Sequence, residues 1–284
     1  MHCFYIITNP DKDPEETATN RIRSYLQEHG RQVYVSGTGE HDRTQYKYTN
    51  ASSIPDEVEC VLVLGGDGTL LQAARDMHER QLPLLGINLG TLGYLAEVEI
   101  ASVEKALDAL MEDSYTVEER MMLDGKIVRQ NREIMHDTAL NDIVIVRKGP
   151  LRIIDFDVYV NDSFLCSLRA DGVILSTPTG STGYSLSAGG PIISPGASMM
   201  LLTAIAPHTL AFRPVVLPDH VEVSVVMRHS AGKTIGAADA TFDGDTAIGV
   251  GVGDRISITR SERKVKLIKI HNTSFVEILR RKMN

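Results

Sequence analysis

The sequence predicts an α/β protein in two parts, an N-terminal doubly wound α/β domain followed by a C-terminal β-rich domain resembling a β-sandwich. Three observations predict it. Short apolar runs alternate with helical patterns through the first third of the chain, the order that βαβ units require. One of these runs, Cys60-Val61-Leu62-Val63-Leu64, is unbroken, as in a strand buried on both faces of a parallel sheet. After about Val117 the pattern changes to short alternating runs punctuated by turn dipeptides, the mark of antiparallel sheet.

Taken in order, residues 3–7 read as the first strand. Asp13 is the expected N-cap of the next helix, with Pro14 in its first turn and Glu15 and Glu16 favourable to the dipole. Ala18, Ile22, Tyr25 and Leu26 follow at helical spacing, and Gly30 supplies a stop. Val33 and Val35 mark a second strand, and residues 45–56 a loop. The strand at 60–64 is followed by a helix carrying Leu70, Leu71, Ala74 and Met77 on one face. A strand at 82–87 and a helix through Ala106, Leu107, Leu110 and Met111 complete the α/β part. Beyond it, Asp124-Gly125, Asn161-Asp162, Asp171-Gly172 and Asp243-Gly244 are the expected turns between alternating runs such as 155–160 and 221–225. The boundary falls near 113–120, giving domains of 1–115 and 116–265. An apolar patch of Phe275, Val276, Ile278 and Leu279, followed by Arg280, Arg281 and Lys282, is expected to dock.

Composition excludes several function classes. The 284 residues carry a net charge of −8, which disfavours binding nucleic acid through its phosphates. The longest uncharged stretch, 172–212, is rich in Ser, Thr and Gly and interrupted by prolines, so no membrane span is expected. Three scattered cysteines without a CxxC pair fit a reducing compartment. With no secretory signal visible, a cytoplasmic protein is expected.

Four segments can carry chemistry. Gly65-Gly66-Asp67-Gly68-Thr69 joins the apolar strand to a helix, so bare backbone and free N–H groups face one spot suited to phosphate. Asp67 is the anomaly there, because a carboxylate repels phosphate unless it accepts a proton or holds Mg²⁺; alternatively it caps the helix. Asn88-Leu89-Gly90-Thr91-Leu92-Gly93-Tyr94 is a second glycine loop expected at the same end of the sheet. Asn141-Asp142 presents an amide and a carboxylate, although Asn-Asp is also an ordinary turn. The block 171–191, from Asp171 to Pro191, is packed with hydroxyls and glycines that suit a phosphate or polyhydroxyl ligand, and its apolar anchors argue against a free linker. Other matches fail: Gly232-Lys233-Thr234 lacks the earlier glycine of a Walker A loop, residues 249–253 lack dinucleotide-fingerprint spacing, and His208 has no ligand partner.

In this order, and with Phe242-Asp243-Gly244-Asp245, these motifs resemble the NAD kinase family over about residues 59–245. The GGDGT element is shared with lipid kinases and, in a close variant, with 6-phosphofructokinases, whereas the Thr177-to-Pro191 block is more specific. The resemblance implies transfer of the terminal phosphoryl group of ATP, or of polyphosphate, to the 2′-hydroxyl of the adenosine ribose of NAD. It implies an enzyme with Mg²⁺ or another divalent metal and a homo-oligomer, dimer or tetramer, without nucleic-acid or membrane partners. It also implies that a tail of about 266–284 returns to the first domain.

Residue by residue, the resemblance makes Asp67 the base at the 2′-hydroxyl, with Gly66, Gly68, Thr69 and Asn88 lining the ligand. It makes Asn141 and Asp142 the pair gripping NAD, although relatives often carry Glu at the second position. Tyr94 stands where an aromatic packs by the adenine. Thr182, Gly183, Tyr184 and Ser187 line the base pockets, with Gly183 replacing a common Ala. Asp171 and Ala206 match dinucleotide contacts, and Asp243 lies near the acceptor ribose. A lipid or sugar kinase sharing the GGDGT loop is the alternative enzyme, and a non-catalytic dinucleotide-binding regulator the alternative of another class.

Overall fold

A computed structural model describes all residues except 37–48, 91–92, 150–152, 210, 229–237, 271–273 and 284. Part of the loop expected at 45–56, Thr91 and Leu92, and Gly232-Lys233-Thr234 lie outside the described residues. The chain divides into two compact units, Met1–Arg120 with Arg263–Asn284, and Met121–Glu262.

The first unit contains β1 (Cys3–Thr8), α1 (Thr17–Glu28), β2 (Gln32–Val35), β3 (Cys60–Gly65), α2 (Asp67–Asp76), β4 (Leu84–Asn88), β5 (Val98–Glu99) and α3 (Val103–Met111). Its strands pair in parallel in the order β2-β1-β3-β4-β5. Period-2 alternation sends Phe4, Ile6, Leu62, Leu64, Leu85 and Ile87 to one face, where they pack with Ile22 and Leu26 of α1 and Val103, Leu107 and Leu110 of α3. Gly86 faces the other way, and a Cβ there would lie 2.9 Å from Leu70 of α2. Helices therefore cover both faces.

Two expectations are corrected here. Helix α1 starts at Thr17, not beside Asp13, because Glu16 takes a left-handed conformation (φ 53°) that no helix can include. Asp13 still satisfies the helix start from upstream, accepting the N–H groups of Ala18 and Thr19 and the Thr19 hydroxyl. The next strand runs from Leu84 to Asn88, two residues later than its apolar run begins.

The second unit holds β7 (Arg132–Ala139), β8 (Asp142–Arg147), β9 (Ile154–Val160), β10 (Ser163–Ala170), β11 (Gly172–Ser176), α4 (Tyr184–Ser187), β12 (Met199–Ile205), β13 (Val215–Pro218), β14 (Val223–Met227), β15 (Ala238–Phe242) and β16 (Thr246–Val250). The unit boundaries fall inside β6 (Thr116–Arg129) and β17 (Arg255–Lys269). One antiparallel sheet runs β13-β12-β11-β8-β15-β16, and antiparallel pairing also joins β10, β9, β14 and the first part of β17. Ile143, Ile145, Val173, Leu175, Leu202 and Phe242 from the first sheet share one core with Phe156, Val158, Val223, Val225 and Ile258 from the second, the sandwich arrangement.

Turn dipeptides behaved unequally. Asn161-Asp162 has positive φ at both positions (47° and 61°), as a two-residue hairpin turn demands. Asp124-Gly125 is no turn but the middle of β6, whose hairpin with β7 closes at Gln130-Asn131 instead. A Cβ on Gly125 would sit 2.6 Å from the Phe242 ring, so that glycine serves close packing. The C-terminal helix α5 (Phe275–Met283) belongs to the first unit; Phe275, Ile278 and Leu279 are partly buried and Val276 is exposed. Among the described residues no helix is long and apolar enough to cross a membrane.

Candidate functional site

In the first unit, Gly65 at the end of β3 pairs with Asn88 at the end of β4, so both glycine loops leave the sheet at the same edge. The glycines of the first loop are not there for left-handed backbone, since none of Gly65, Gly66 and Gly68 has positive φ. They are there for proximity: a Cβ on Gly65 would lie 2.3 Å from the Thr69 hydroxyl, while Gly68 faces open space and is exposed. Thr69 is buried and its hydroxyl receives the Asn9 side-chain amide at 3.1 Å. Asn88, also buried, closes its own loop through Gly90.

Asp67 opens α2 without capping it. Its carboxylate turns to the second loop and accepts three successive backbone N–H groups, from Tyr94 at 2.7 Å, Leu95 at 3.2 Å and Ala96 at 3.3 Å. This seat exists because residue 93 is glycine, where a Cβ would overlap the carboxylate at 2.0–2.2 Å. Tyr94 is partly exposed, and Lys282 of α5 lies 5.5 Å from its ring centroid, within cation–π range.

In the second unit, strand register builds the corresponding group. Asp142 pairs with Ser176, and Ile143 with Phe242, so Asn141, Asp142, Thr177 and Asp243 emerge at one end of the sheet. Asp243, at a positive φ of 52°, accepts the N–H groups of Leu140, Asn141 and Asp142 at 2.7–3.1 Å. Burial, and then the Asp243 charge, push the Asp142 carboxyl up to about 7. Gly180 packs against the Asn141 backbone, where a Cβ would lie 2.0 Å from the carbonyl oxygen. A Cβ on Gly183 would meet the Asn141 amide nitrogen at 3.6 Å and an Asp142 oxygen at 3.8 Å, so Gly183 lies against that pair.

The hydroxyl-rich block is mostly turned inward. Thr177 bonds the Leu140 carbonyl and the Gly180 N–H, Ser181 bonds residues 178 and 193, and Ser185 bonds Thr203, all buried. Of this block's expected contacts, Thr182 and Gly183 are partly exposed and Tyr184 and Ser187 exposed. Asp171 and Ala206 are not brought to this group. They flank the opposite ends of β11 and β12, where Asp171 pairs with Arg147 at 2.8 Å; the strand between Asp171 and Thr177 spans roughly 20 Å.

Sequence reasoning passed over Lys12, whose ammonium lies by Gly66, and Gly93, which seats Asp67. The lysine shows itself only through strand register: β1 runs parallel to β3, so its following loop, residues 9–12, leaves at the same edge. Among the described residues no three His, Cys, Asp or Glu side chains group as a metal cage.

Known proteins resemble this chain over both units. Residues 4–115 match the ATP-NAD kinase N-terminal domain, and residues 140–270 the ATP-NAD kinase C-terminal domain. An NAD kinase of Lachnospira eligens is 45% identical over 100% of both chains, and one of Lachnoclostridium phytofermentans is 41% identical over 99% of both. The crystal structure of a yeast NADH kinase complexed with NADH shares the fold at a TM-score of 0.89 and 24% identity, covering 100% of this chain and 87% of that one. The chain belongs to the NAD kinase family.

Proposed function

We propose that Asp67 is the proton acceptor in the phosphorylation of NAD to NADP with ATP, the reaction this enzyme shares with its family. The observation that carries the assignment is the three-amide seat of its carboxylate at the start of α2. A 2′-hydroxyl is a poor nucleophile near neutral pH and needs an acceptor held in line with the donor. In the step, the ribose 2′-oxygen bonds to the terminal phosphorus of ATP as that phosphorus parts from its bridging oxygen. ADP leaves with the electron pair, and the hydroxyl proton passes to Asp67. The exposed backbone of Gly68 and the N-terminus of α2 support the phosphoryl group's charge.

Mg²⁺ in phosphoryl-transfer sites is held by one or two carboxylates and substrate phosphates, and Asp67 with the donor oxygens fits that set. When bound, the ion neutralises charge on the transferring group. Asn141 and Asp142 grip the acceptor's hydroxyls, and a carboxyl poised near pH 7 both donates and accepts there. Thr182, Gly183, Tyr184 and Ser187 border the bases. Asp171 and Ala206 touch a part of the dinucleotide remote from the acceptor oxygen. Unpaired Cys3, Cys60 and Cys166 support a cytoplasmic setting, and Phe164 and Leu165, exposed on β10, support a homo-oligomer.

Incubation with ATP, Mg²⁺ and NAD tests the reading by formation of NADP⁺. Phosphorylation of a sugar or lipid in its place would overturn it, as would dinucleotide binding without turnover.

A further inference from the structure

We infer that Lys12 is a donor-binding residue, its ammonium holding the polyphosphate chain of ATP against the first glycine loop. The loop after β1 is tied to that loop at two points: Asn9 N–H bonds the Leu64 carbonyl at 2.9 Å, and the Asn9 side chain bonds Thr69. The N–H groups of Lys12 and Asp13 both return to the Asn9 carbonyl at 3.1 Å, which fixes the turn from which the lysine projects. The Lys12 Nζ then lies 2.7 Å from where a Gly66 Cβ would be and 4.0 Å from that of Gly90. The cation therefore hangs over bare backbone shared by both glycine loops, beside the first residue of α2.

Lys12 is exposed, and among the described residues no carboxylate pairs with it. The Asp67 carboxylate is bonded to the N–H groups of residues 94–96. A cation beside free helix N–H groups suits a phosphate. Two phosphate sources meet in this reaction, and they differ in charge: the triphosphate of the donor carries about twice that of the acceptor's pyrophosphate. The donor gains more from the lysine, and charge develops on its departing bridging oxygen as transfer proceeds. The assignment rests on the reaction proposed above.

Lys12→Met and Lys12→Arg in the full chain test it, with ATP and NAD varied separately in steady state and the binding of each measured by calorimetry. Lys12→Met is expected to lower kcat/KM for ATP by about 10- to 100-fold and to weaken ATP binding, the scale of one lost charged hydrogen bond. NAD affinity and melting temperature stay at the parent values, and Lys12→Arg recovers most of the loss. Unchanged ATP binding and turnover in Lys12→Met would overturn the inference. So would a loss confined to NAD affinity, which would move the lysine to the acceptor's pyrophosphate. Parent protein that makes no NADP⁺ would instead refute the reaction itself, whatever the variants do.

Discussion

Two aspartates in different units are held by the same device and placed in opposite environments. Asp67 accepts three successive N–H groups from residues 94–96, and Asp243 accepts three from residues 140–142. Asp67 heads a ten-residue helix, with exposed glycine backbone and the Lys12 ammonium nearby. Asp243 sits on a hairpin tip beside a second, buried carboxyl, Asp142. The helix N-terminus and the Lys12 ammonium near the first suit a phosphate. Excess acidity around the second repels phosphate and favours groups that donate hydrogen bonds, such as ribose hydroxyls. On the function proposed above, one backbone motif serves phosphoryl chemistry in one unit and sugar recognition in the other.

Removing the carboxylate charge at the phosphoryl end breaks the comparison most severely. Asp67→Asn should lower kcat by at least ~100-fold, the usual scale for a lost general base, while calorimetry finds NAD affinity near the parent value. Gly93→Ala attacks the seat and leaves the base in place. Its Cβ overlaps the carboxylate, so turnover should fall by about 10-fold with a stability loss of about 1–3 kcal/mol, the cost of overpacking. Chemical denaturation alongside kinetics separates the two effects.

At the sugar end, Asp243→Ala leaves three backbone N–H groups without their acceptor. About 2 kcal/mol of stability should disappear, and NAD affinity should fall more than kcat, as titration and kinetics would reveal. Asp142 supplies a pH signature. Burial and the neighbouring Asp243 charge push its carboxyl in the folded chain up to about 7, from an ordinary value of 3.8. Between those values the folded state holds more protons, so this group's contribution to stability is complete below the lower value and is lost as pH rises through 7. Urea midpoints measured from pH 4 to 8 should show that decline in the parent and a flatter profile in Asp142→Asn.

The mildest change is Gly183→Ala. Its Cβ meets neighbours at 3.2–3.8 Å at an ordinary φ of −92°, so kcat/KM for NAD should shift by no more than roughly threefold. A larger drop would mean that the glycine's bare surface is itself part of the dinucleotide pocket.

Much of the phosphoryl end was legible in the sequence because its signals are local. An unbroken apolar run, a glycine loop and a helical pattern follow one another within residues 60–77, and parallel pairing brought the 88–94 loop to the same edge. Lys12 was not legible, since a single lysine in a polar loop looks like any solvated charge until the register of β1 is known. The sugar end depends on contacts about a hundred positions apart, such as Asn141 to Asp243, which no local pattern encodes. The hydroxyl-rich block misled in one respect: composition advertised ligand donors, but Thr177, Ser181 and Ser185 had to satisfy buried backbone and side-chain partners first. Asp124-Gly125 misled for a related reason, its glycine answering to the Phe242 ring rather than to a turn.

Crystallography of the chain with NAD and a non-hydrolysable ATP analogue tests the central claim most directly. The account predicts the Asp67 carboxylate, still seated on the amides of residues 94–96, within reach of the ribose 2′-oxygen either directly or through one water or metal ion. A complex in which that oxygen lies beyond such reach, with the donor's terminal phosphate in line with another group, would contradict it.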